Sequence, residues 1–251
     1  MNGSSIDRPT PPEGQGDSFA QAKADAKHLL RISRTGALAT FDVNSRLPLA
    51  TLVGVASDWD GSPLFLMSQL ARHTRNLADN ALGSLLLTTA NGRGDPLNQP
   101  RLTIGGQLVP HLEPTSKRRY LQRNPKAKLY ADFADFALHR MTIESVHFNG
   151  GFGRAEDLKP EDLLTHIESI ASLSEAEAEL LQRSQRLGDG ILALLAGAAS
   201  ESTRTWRPVG LDPDGLDLTS AGIPRRVSFQ RAAPDPKAWW RQLNDILQSG
   251  T

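Results

Sequence analysis

The chain has 251 residues, with 28 basic and 28 acidic side chains, so it carries no formal net charge at neutral pH. That balance excludes a nucleic-acid binder held by phosphate neutralisation, which needs a basic excess. Cysteine is absent, which removes disulfides, thiolate nucleophiles, zinc fingers and iron–sulfur clusters together and suits the cytoplasm. No run reaches the ~18–20 apolar residues that cross a bilayer. Residues 1–17, rich in Pro, Gly and Ser, read as a disordered leader with no apolar core for a signal peptide.

Beyond the leader, Ser18 with Gln21 forms a capping box, and Gly36 stands where a C-cap belongs. Between them Ala22, Ala26, Leu29, Leu30 and Ser33 share one helical face. The period then changes to β-prone runs at 37–42 (ALATFD), 49–57 (LATLVGVAS) and 64–68 (LFLMS), joined by the turn signals Asn44-Ser45 and DWDG at 58–61. Linkers this short cannot carry βαβ crossovers, so the pairing is antiparallel. A short helix follows in QLARHTRNLADNAL, then strands at 83–90 and 101–110 around the loop NGRGDPLNQP. Helices are expected at 117–123 and 125–132, and a last strand at 145–151 running into GGFG at 150–153.

About six short strands before residue 158 close most readily into a small barrel. Past it, Pro160 opens a helix to about residue 171, and a Ser174–Glu177 capping box opens a long one to about 199. A meander at 206–209, 216–219 and 226–230 turns on Asp-Pro-Asp-Gly at 212–215, and a helix over 236–247 carries Trp239 and Trp240. The expected organisation is a leader (1–17), a barrel (18–158) and a small α+β unit (159–251).

The stretch LFLMSQLARHTRNL carries the most chemistry. A strand ends at Ser68 and a helix begins within a few residues, clustering Ser68, Arg72, His73, Thr74 and Asn76. Hydroxyls, a guanidinium and an imidazole beside free helix-N-terminal N–H groups suit a phosphate. Arg101, opening RLTIGG, could reach a ring or phosphate. GGFG lacks the spacing of a dinucleotide fingerprint. The six histidines form no tight metal pair, and no G-x-S-x-G elbow is present.

Together GALATFD (36–42), DGSPLFLMSQLARHTRNL (60–77), DPLNQPRLTIGGQLV (95–109), YLQRNPKAKLYADFADF (120–136) and FNGGFGRAEDL (148–158) resemble the pyridoxamine 5′-phosphate oxidase-related FMN-binding split-barrel superfamily. Within it, the HugZ-type haem-utilisation branch is the most similar. WRPVGLDPDGLDL, RRVSF and the terminal helix resemble the small α+β domain fused behind such barrels. The resemblance implies a homodimer with the cofactor site at the subunit interface. It places an FMN phosphate near Ser68, Arg72, His73 and Thr74, with strand residues 51–55, Thr51 and Val53 among them, beside the ribityl chain and ring. Arg101 becomes a further polar contact.

Two departures narrow the function. Residues 140–158 lack the Arg, His and Trp set with which pyridoxamine-phosphate oxidases hold their substrate. HugZ-type proteins bind haem at the dimer interface and degrade it with a reductant and oxygen, their iron held by a His near the C-terminus. Here no His follows His166, so another residue must ligate any haem, and His147 and His166 are taken as the candidates. LLQRSQRLGDG (180–190) likewise stands where the family carries a His-Met-Asn…Asp-His run. Three readings follow: a flavin- or haem-linked oxidoreductase, a non-catalytic dimeric haem-, flavin- or partner-binding protein, and an FMN- or deazaflavin-dependent reductase of a small molecule.

Overall fold

Helix α1 (Gln15–Ile32) begins ahead of Ser18 in the computed structural model, which describes residues 15–89, 95–151, 154–166, 170–198 and 204–249. Its expected face is buried at Ala22, Ala26, Leu29 and Leu30. Gly36 does not cap this helix. It lies inside strand β1 (Thr35–Phe41), where a Cβ would meet the Leu85 and Leu87 side chains at 2.8 Å. Close packing between strands, not a left-handed turn, requires glycine there.

The chain continues through β2 (Pro48–Gly54), β3 (Ala56–Ser57), β4 (Pro63–Ser68), α2 (Arg72–Asp79), β5 (Leu82–Thr88), β6 (Arg101–Pro110), α3 (Pro114–Arg123), β7 (Phe136–Asn149) and β8 (Ala155–Leu158). Only a 3₁₀ turn, Pro125–Leu129, stands where a helix to residue 132 was expected. The sheet order is β2-β1-β5-β6-β7-β4-β3, antiparallel throughout, with β8 added on β7. Its two edges, β2 and β3, are separated along the chain by Val55 alone. A sheet whose edges are one residue apart must curl until they meet, which makes it a half-barrel with a split between β2 and β4.

The sheet thus has eight strands where six were expected: the second run divides at Val55, and β8 is additional. β7 is also far longer than the expected 145–151. A register shift opposite Gly105 and Gly106 breaks its alternation, and His139 and Arg140 interrupt its apolar pattern. His139 and His147 therefore share one strand. Inside the curl, Leu38, Val53, Phe65, Met67, Leu85, Ile104, Met141 and Phe148 pack with α1 as one core.

Helix α4 (Pro160–Leu163) stops after one turn, short of the expected residue 171. Ser174 and Glu177 form no capping box, because both lie within α5 (Ile170–Gln185). Glu177 is buried there and paired with Arg118 and Arg119. The expected long helix is interrupted where Gly188 takes φ 86°, and α6 (Asp189–Leu195) follows. The meander is present as β9 (Arg207–Asp212), β10 (Gly215–Ser220) and β11 (Ile223–Ser228), and α7 (Pro236–Ser249) closes the described chain. Trp206, Trp239, Leu211, Leu216 and Leu243 build a second core, which Trp59 of the β3–β4 connection enters. Residues 1–14 of the expected leader, and parts of the 91–100 loop and GGFG, lie outside the described residues.

Charge joins the two cores. Arg31 of α1 donates to Asp212 (3.1 Å) and Asp214 (2.6 Å), while Arg226 holds Asp212 (2.6 Å) and Asp217 (2.8 Å). From α3, Arg119 reaches Glu177 (3.3 Å) and Arg123 reaches Asp217. The side chains of Arg31, Arg119, Arg123 and Asp212 are fully buried. Four guanidinium groups face four carboxylates, the condition under which buried charge is tolerated. Burial pushes the Asp212 carboxyl up, but Arg226, Arg31 and Arg119 hold it far below the ordinary range.

Candidate functional site

The split between β2 and β4 sets the geometry of the site. β2 pairs only with β1 among the described residues, so one side of its backbone faces the split. β4 ends there at Ser68, and the chain turns through Leu70 and Ala71 into α2. The Ser68 hydroxyl accepts from the Leu70 N–H (3.1 Å) and donates to Asp135 (2.5 Å). Helix α2 has no side-chain cap and no acidic residue in its first turn. Its leading N–H groups and the positive end of its dipole are left for an outside acceptor.

Three predicted residues converge on that point. Arg72 is over half exposed, and its guanidinium donates to Asp42 at 2.6 Å. The Asp42 carboxyl is held down at about 2 by the Ser45 N–H and then by Arg72. His73 turns inward and meets the Thr51 hydroxyl of β2 at 3.1 Å. Burial, then the charge of His139, lowers the affinity of its ring for a proton, so it stands neutral at pH 7. The Thr74 hydroxyl is buried without a partner among the described residues. Ser68, Arg72, His73, Thr74 and Thr51 thus flank one split.

The remaining predicted residues do other things. Val53 is a core side chain and can offer only backbone to a ligand. Asn76 is buried, donating to Thr40 (2.9 Å) and accepting from the Val43 N–H (3.2 Å), so it clamps α2 to β1. Arg101 lies opposite Asn149, at the far end of β7 from the Ser68–Phe136 pair. Within one chain it does not join the cluster. Its Nη1 donates to the Leu97 carbonyl at 2.6 Å. His147 is half-exposed on β7, with Nδ1 2.7 Å from Asp157, and His166 is exposed after α4.

Asp42, Asp135 and Asp157, which orient Arg72, Ser68 and His147, escaped the sequence reading. Only Asp42 carries a local signal, heading the Asn44-Ser45 turn through its own side chain. Two cavities lie elsewhere: about 250 Å³ beside α1 at Lys27 and Arg226, and about 580 Å³ beside α3 at Asp58 and Arg140.

The donor set fits a phosphate: an uncapped helix N-terminus, a guanidinium, two hydroxyls and an unpaired strand edge. This is the arrangement of a split-barrel protein, a curled antiparallel sheet with an anion-suited notch at its split. The CREG β-barrel family model matches residues 18–165, more than half of the chain, and the chain belongs to that family. A protein of unknown function from Agrobacterium tumefaciens is 32% identical, covering 96% of this chain and 100% of its own, with a TM-score of 0.76. The non-canonical heme oxygenase HOZ, chloroplastic, of Arabidopsis thaliana is 27% identical over 240 residues, 90% of this chain and 72% of that protein. A heme binding protein from Mycobacterium smegmatis shares the fold at 21% identity, covering 98% of this chain and 99% of its own, with a TM-score of 0.53. The split-barrel kinship expected from the motifs is shown by the family match, and a heme oxygenase and a heme binding protein stand among its likenesses. Among the described residues no helix is long and apolar enough to cross a membrane.

Proposed function

We propose that the chain is a haem-binding oxidoreductase of the cytoplasm that degrades haem, working as a homodimer. The likeness to the heme oxygenase HOZ carries this reading, because it runs through the barrel and on into the second core. Haem supplies the redox chemistry with oxygen and an external reductant. The protein's own part is to hold the macrocycle, fix its acidic groups and exclude water.

The outer face of β2, β1 and β5 supports the dimer. In register across it run Leu52, Ala37 and Leu86, then Ala50, Ala39 and Ser84, with Phe41 and Leu82 alongside. Leu52 is 78% exposed and Phe41 47%. Apolar and small side chains on one flat, solvent-facing sheet surface are the composition of an interface core.

FMN at the split is the second reading, favoured by the unpartnered Thr74 hydroxyl beside the uncapped α2. Thr51, Ser68, Arg72 and His73 would hold its phosphate and ribityl end. Haem degradation is tested by loading the protein with haem, adding ascorbate in air and following the Soret band with a ferrous-iron chelator present. Soret loss with iron release supports the proposal; a Soret band that persists contradicts it.

A further inference from the structure

The haem reading above needs an iron ligand, and the geometry points to one. We propose that His147 ligates the haem iron through Nε2, with Asp157 as its positioning carboxylate and the outer face of β7, β6 and β5 as the bed of the macrocycle.

His147 and Asp157 are directly opposed in the β7–β8 ladder, and Nδ1 lies 2.7 Å from the carboxylate oxygen. The carboxylate only accepts, so in the neutral ring Nδ1 carries the proton and Nε2 keeps its lone pair. That is how proteins fix the tautomer and raise the basicity of a metal-ligating imidazole. Among the described residues no other histidine sets Nδ1 on a carboxylate. His28 meets Ser228, His73 meets Thr51, His139 meets the Ala137 carbonyl, and His111 uses Nε2 on Ser116.

The surface around His147 suits a flat, amphipathic ligand. Thr103 lies beside it on β6 and Leu86 beyond on β5. Gly105, the next outward position on β6, carries no side chain, and the Ser145 hydroxyl of β7 lies over it. Arg101 stands diagonally across from His147 on the same face, where cross-strand diagonals are ~7–8 Å apart. Its cation is placed for a propionate carboxylate, the strong charge-assisted pairing of guanidinium with carboxylate. At 52% side-chain exposure, His147 remains open to a ligand.

Haem is titrated into the full chain and into His147→Ala, His147→Gln, Asp157→Asn and His166→Ala, with folding checked by circular dichroism. Affinity is read from the Soret band and ligation from the iron–histidine Raman band of the ferrous complex. Removing the ligand should weaken binding by more than about tenfold and abolish that band in both His147 variants, with added imidazole restoring it. Asp157→Asn should retain the band at lower frequency, and His166→Ala should change nothing. Haem bound with an unchanged histidine signature in His147→Ala, or its loss in His166→Ala, would overturn the ligand assignment while leaving haem binding intact. Failure of the unsubstituted chain to bind haem would overturn the functional reading and the assignment together.

Discussion

Arg72 and His73 sit side by side at the start of α2, yet their environments divide the work between them. The Arg72 guanidinium is permanently charged and already oriented by Asp42, so an incoming anion finds it preset but must share it with a carboxylate. His73 is neutral and contributes a hydrogen bond through the Thr51 side of the split. Replacing both, Arg72→Ala with His73→Ala, should weaken FMN binding by more than about tenfold in a flavin-fluorescence titration, since charged hydrogen bonds contribute about 1.5–3 kcal/mol each. Unchanged affinity would remove the split as a phosphate site. Burial lowers the proton affinity of His28, His73 and His139. The unfolded chain therefore binds protons more readily below its ordinary imidazole pKa of about 6.5, and stability is full above that pH and falls as acid approaches the lower folded values. Denaturant midpoints measured from pH 7.5 down to 5 should decline, and flat midpoints would contradict those buried rings.

Elements were legible where one period governed a run. Strands β1, β4, β5 and β6 stand within two residues of their expected places because alternation, turns and short linkers agreed. β7 was half hidden, since its bulge moves the apolar set to the other parity and His139 and Arg140 break the apolar pattern of its first half. Capping residues misled where a long-range partner claimed them: Glu177 faces Arg119 across the molecule rather than its own helix end. The notch of Ser68, Arg72, His73 and Thr74 was readable because strand end and helix start are adjacent in sequence. Of the carboxylates that orient it, Asp42 shows only as the head of the Asn44-Ser45 turn, and Asp135 left no local trace. The apolar sheet face of β2, β1 and β5 makes its own prediction. Leu52→Glu with Leu86→Glu should shift the protein from dimer to monomer in sedimentation velocity, and a dimer that persists would place the interface elsewhere.

At the scale of the whole molecule, the buried charges are the mechanical link between barrel and meander. Arg31 comes from α1, Arg119 and Arg123 from α3, and Asp212 and Asp217 from the second sheet, with Arg226 closing the network. Such a network gives weak net stability while complete but a large loss when broken, because an uncompensated charge is left buried. Asp212→Asn should cost about 3–5 kcal/mol in equilibrium unfolding; a loss below about 1 kcal/mol would show that the network is not continuous.

Whether this split barrel receives haem is decided by an equilibrium absorbance titration of the purified 251-residue chain with haem. Saturation at a fixed ratio of haem to protomer, with a sharp Soret band, is the predicted result. A linear, non-saturating rise with a broad band like that of haem in buffer would contradict it.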